Sequence, residues 1–142
     1  MTAVRRTIFI LDGSVAVTGA FFSARDMARA LRADADVVLV LPDSACIAEK
    51  DLVDFTVVHR LPIRSLRREL RAVMFYLPDL VRATWQLRCL ITKHPGAHLL
   101  VNDFYLIQGP LLRSLVRNVK ILTWVRIDPA VFGRVGLIWL WL

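Results

Sequence analysis

A chain of 142 residues, 56% hydrophobic and 22% charged, is long enough for one folded unit and too apolar to be disordered as a whole. Its net charge of +7 favours anionic partners: phosphates, nucleic acid or an acidic membrane surface. Two cysteines, Cys46 and Cys89, exclude a disulfide framework and are read as reduced thiols of a cytoplasmic protein.

No apolar run approaches the about 18 residues that cross a bilayer. The run Thr7–Leu11 follows Arg5 and Arg6, but Asp12 ends it too early for a secretory signal.

The first strand is expected over Ile8–Leu11, ending in Asp12-Gly13-Ser14. A loop from Gly13 to Gly19 leads to a helix carrying Ala20, Ala24, Met27 and Leu31 at helical spacing. Its start lies either near Thr18 or at Ser23, where Asp26 three residues on offers a capping box. A second strand, Val37–Leu41, stops at Pro42, and the stretch Ser44–Leu52 is read as a short helix. Phe55–Val58 predicts a third strand. Leu66, Leu70, Val73 and Leu77 mark a long helix that continues through Val81 and Trp85, with Pro78 expected to kink or divide it. The fourth strand, Leu99–Val101, runs into Asn102-Asp103. Leu111, Leu112, Leu115 and Val116 mark a helix closed by Asn118, and a fifth strand, Ile121–Val125, leads to Arg126-Ile127-Asp128-Pro129. Short apolar runs alternating with helical patterns predict an α/β fold: an open, mostly parallel Rossmann-like sheet with helices on both faces.

In such sheets ligands bind beyond the carboxyl ends of the strands, near the point where strand order reverses. Three predicted strand ends carry polar groups: Asp12-Gly13-Ser14, Asn102-Asp103 and Arg126 with Asp128. Taken singly, such residues most often just end strands and make turns. Taken together they form a candidate crevice. Ser14, Thr18 and Gly19 on the first loop could meet a phosphate, since the loop opens a helix whose N-terminus attracts anions. The dinucleotide spacing and the P-loop are both absent. The three histidines, His59, His94 and His98, have no ligand spacing with the cysteines, so no metal is expected.

Positive charge is unevenly placed. Residues 60–88 hold seven basic and two acidic residues, whereas residues 1–59 hold six basic and eight acidic. Arg64, Arg67, Arg68 and Arg71 fall within two helical turns, with Phe75 and Tyr76 close behind. A helix of this kind is either a solvated face or a surface for anionic headgroups. No nucleic-acid-binding motif accompanies it, which argues against a nucleic-acid partner.

The segments Ile8 to Ser14, Thr18 to Leu31 and Asp36 to Pro42 resemble the start of family-4-like glycosyltransferases. Those begin with a strand, a glycine-containing loop, a helix and a second strand ending near proline. His98 to Arg113 and Lys120 to Pro129 are similar to their fourth strand, next helix and fifth strand. The resemblance implies the amino-terminal, acceptor-side half of a fold built from two Rossmann-like domains across a cleft, continued beyond Leu142 by a donor-binding domain. It implies transfer of a sugar from a nucleotide-sugar substrate, without a further cofactor, to a cell-envelope glycan or glycolipid. Asp103, Arg126 and Asp128 would then serve catalysis. Asp12, Gly13, Ser14, Thr18, Gly19 and Asn102 would meet donor phosphate or acceptor. Arg64, Arg67, Arg68 and Arg71 would hold the protein at the inner face of the membrane. The alternative is a non-catalytic membrane or interaction module using the same basic helix. The family's paired glutamates are missing, since only Glu49 and Glu69 occur, and Val125 to Asp128 replaces its histidine-containing turn.

Overall fold

The computed structural model describes residues 5–64, 70–103 and 105–124, with 70–75 as backbone alone. Among these residues five strands and three α-helices follow in the order β1 (Arg6–Leu11), α1 (Gly19–Leu31), β2 (Ala35–Pro42), β3 (Val57–Leu61), α2 (Leu70–Thr92), β4 (His98–Val101), α3 (Gln108–Leu115) and β5 (Lys120–Thr123). All neighbouring strands are parallel, in the order β3-β2-β1-β4-β5. This is the open Rossmann-like sheet that the alternation of strands and helices predicts.

Strand register sorts the apolar side chains onto two faces. Phe9, Leu11, Val38, Val40, Leu99 and Val101 form one core with Ala83, Leu87 and Ile91 of α2 and Leu112 of α3. Ile10, Val37, Leu39, Leu41 and Leu100 form the other with Phe21, Ala24 and Ala28 of α1. Burying each large apolar side chain contributes about 1.5–3 kcal/mol, and runs apolar on both faces therefore settle in the middle of the sheet.

Several boundaries depart from expectation. Thr18, not Ser23, caps α1: its backbone is extended and its hydroxyl accepts from Phe21 N at 3.4 Å. Ser23 lies inside the helix, donating back to Gly19 O at 3.1 Å. The stretch 44–52 makes only one 3-10 turn, Glu49–Asp51. β3 begins at Val57 because Phe55 turns inward to pack 6.3 Å from Phe21. Pro78 does not divide α2. It lies exposed on the outer side, where water can satisfy the carbonyl left without a helical donor. α3 starts at Gln108, ahead of its first apolar pair, and β5 ends at Thr123.

Polar contacts fasten the layers. Asp54, its side chain 6% exposed, accepts from Arg29 Nε at 2.7 Å and Arg32 Nη1 at 3.2 Å, tying α1 to the loop before β3. Gly96 takes a φ of 77° in the turn between α2 and β4, a conformation that favours glycine.

Candidate functional site

The order in which strands are added reverses between β1 and β4. The chain builds β2 and β3 on one side of β1, then α2 carries it back to the other. Hydrogen bonding continues one residue past three strands. Asp12 N donates to Val40 O at 3.0 Å, Asn102 N to Leu11 O at 2.8 Å and Trp124 N to Val101 O at 2.8 Å. Asp12, Asn102 and Trp124 therefore stand side by side at the carboxyl edge.

Asp12 is 1% exposed and both its oxygens are engaged. Oδ1 accepts from Ser14 N at 2.8 Å, closing a tight Asx turn at Gly13. Oδ2 accepts from Asn102 Nδ2 at 2.9 Å. The same amide nitrogen donates to Ala20 O, 3.0 Å away in the first turn of α1. One buried carboxylate and one buried amide thus join β1, its loop, β4 and α1. A carboxylate held this way positions loops and is poorly placed to accept a proton from a substrate.

The first loop is held at both ends. Ser14 Oγ lies 3.2 Å from Thr18 Oγ1, and Cys46 N donates to Val15 O at 2.8 Å. Val15 and Val17 are exposed on its outer side. The two glycines differ sharply. A Cβ on Gly13 would stand 3.1 Å from Leu106 Cδ2 and 3.3 Å from Tyr105 Cε2, so the loop after β4 covers that glycine. A Cβ on Gly19 would meet nothing within 4 Å, so the start of α1 is the open part of the loop.

Asp103 is buried at the end of β4, and its carbonyl accepts from Leu106 N at 3.5 Å. Gln108, in the first turn of α3, is 2% exposed and its Oε1 has no hydrogen-bond partner. Gly109 follows, where a Cβ would stand 2.8 Å from Val101 Cγ2, so α3 lies close on β4.

The structure thus brings Asp12, Gly13, Ser14, Thr18, Gly19, Asn102 and Asp103 to one edge of the sheet. Arg64 stands apart at the start of the crossover, exposed and paired with Asp79 of α2 at 3.0 Å. Arg67, Arg68, Arg126 and Asp128 lie outside the described residues, as does the side chain of Arg71. Tyr105, Leu106 and Gln108 also belong to this edge. Their position directly after Asp103 was the only sequence signal for them. Among the described residues no group of three or more His, Cys, Asp or Glu could hold a metal ion. Cys46 and Cys89 are free and exposed. No helix among the described residues is long and apolar enough to cross a membrane.

The sequence matches no protein-family model, and no curated protein matches it either.

Proposed function

We propose that this chain is the acceptor-side part of a glycosyltransferase moving a sugar from a nucleotide-sugar donor to a cell-envelope glycan or glycolipid. The observation that supports this most is the meeting of the first and fourth strand loops at the reversal of strand order, the place where open α/β sheets take ligands. In this reading the Asp12–Asn102 pair fixes the loops. The open start of α1 at Thr18 and Gly19 faces the donor's diphosphate, because a helix N-terminus favours negative charge. Asp103, at the end of β4, binds or activates an acceptor hydroxyl in this reading. Arg126 and Asp128 follow β5, and a second Rossmann-like unit holds the nucleotide. The resemblance of residues 8–42 and 98–129 to family-4-like enzymes adds the choice of substrate class.

Nuclear magnetic resonance titration with UDP-glucose, GDP-mannose and soluble glycan acceptors tests the reading. Amide shifts should move in residues 13–20 and 102–106 and leave the amino ends of the strands still. A panel of donors and acceptors that disturbs neither loop would overturn it. Rapid nucleotide release by the chain alone would overturn the need for a second unit.

A further inference from the structure

Gln108 holds a core position without an apolar role. It opens α3 on the face that Gly109 and Leu112 also bury, and Leu112 belongs to the core beneath α2 and α3. Gln108 is 2% exposed, yet its Oε1 has no hydrogen-bond partner. A buried carbonyl in that state lowers stability, whereas methionine or leucine of similar size would bring no such cost. The nearby Asp12 and Asn102 side chains are as buried, but they bond to each other. Packing therefore gives no reason for an amide at this place. Its setting does. Helical side chains lean toward the amino end of their helix, so the Gln108 carboxamide leans toward the carboxyl edge of the sheet. α3 also begins there uncapped, because Ile107 makes no side-chain bond and Pro110 has no N–H.

We infer that Gln108 is a specificity-determining residue whose buried carboxamide binds one hydroxyl of a pyranose acceptor. The inference rests on the sugar-transfer reading and deepens it, because it names a group that selects among acceptor sugars. Two observations choose a hydroxyl over a larger or charged group. A side chain 2% exposed admits only a small partner. Its unpartnered oxygen also needs a donor, and a diphosphate brings no proton to it. A hydroxyl donates to that oxygen and accepts from an N–H of the uncapped helix start at the same time. A site built this way discriminates by absence. A sugar that presents no hydroxyl there leaves the amide buried and unpaired, which costs more than a missing apolar contact.

The test uses the full chain and two variants, Gln108→Met and Gln108→Leu. Both should melt at the wild-type temperature or above it, since each removes a buried carbonyl that lacks a partner. Wild-type protein is then titrated, by nuclear magnetic resonance, with the methyl pyranosides of glucose, galactose, mannose, N-acetylglucosamine and rhamnose. At least one should shift the amides of residues 105–109, and both variants should bind it about tenfold or more weakly. Variants that melt lower or fail to fold would show that the chain itself satisfies the amide, and would overturn the assignment. Pyranoside binding equal in variants and wild type would overturn it too. If nucleotide sugars shift residues 13–20 while no pyranoside moves 105–109, this assignment falls and the sugar-transfer reading stands. Silence from every nucleotide sugar and every pyranoside takes both down.

Discussion

Asn102 donates its side-chain amide to the Asp12 carboxylate at 2.9 Å, across 90 residues of sequence, and so fastens β4 to β1 where strand order reverses. Both groups are about as buried as any in the protein, so neither can turn to water if its partner is lost.

Asp12→Ala should therefore cost about 2–4 kcal/mol in denaturant unfolding, because Asn102 Nδ2 and Ser14 N lose a charged acceptor at once. Asn102→Asp is more diagnostic. It sets a second carboxylate against the first and raises the pKa of one of them in the folded state. Its stability defect should be full at neutral pH and shrink as acid supplies the missing proton. A variant equally stable at neutral and acid pH would show that the two side chains do not meet.

Among the described glycines, packing constrains Gly13 and Gly109 and a positive φ constrains Gly96, whereas neither constrains Gly19. Gly109→Ala should destabilise by about 1–3 kcal/mol through the clash with Val101, and Val101→Ala should relieve much of that loss in the double variant. Gly19→Ala should leave the melting temperature unchanged or slightly higher, since its surroundings are open and alanine restricts the unfolded chain. If the start of α1 takes a phosphate, Gly19→Leu should preserve folding yet weaken nucleotide-sugar binding. Calorimetric melts and the titration described above measure the two effects separately.

His59 offers a pH signature away from the site. Burial on β3, then the positive charge of His94 and of Lys93, lowers its pKa from the ordinary imidazole value. The folded protein thus binds fewer protons than the unfolded chain just below about pH 6.5. This contribution to stability should be complete above about pH 6.5 and decline as pH falls toward the folded value. His59→Gln should flatten the dependence of the unfolding free energy in that window. An unaltered slope in the variant would assign it to other groups.

The strands were the most legible part of the sequence, since Ile8–Leu11 and Val37–Leu41 are apolar on both faces and only a covered sheet accommodates that. β3 was harder to place because Phe55, the largest residue of its run, packs on Phe21 of α1 instead. In α2 the pattern was ambiguous by construction. Tyr76, Leu80 and Leu87 compete with Leu77, Val81 and Trp85, and periodicity cannot choose between two apolar stripes. At the candidate site the polar strand ends were visible one by one. Their bond was not, because nothing local to Asp12 reports on residue 102. The covering of Gly13 by Tyr105 and Leu106 was hidden for the same reason, and it moves the open ground of the loop toward Gly19.

The long return through α2 also sets an order of assembly. β1, α1, β2 and β3 draw on residues 6–61 and can pair through short loops. β4 must come back from His98 to lie beside Ile8, a closure whose entropic cost grows with the chain between them. Contacts of such separation slow folding, so the amino-terminal three strands can form a nucleus while the fourth arrives late. The crevice between β1 and β4 is then the last feature of the sheet to exist, and in brief excursions from the native state it is the first to come apart.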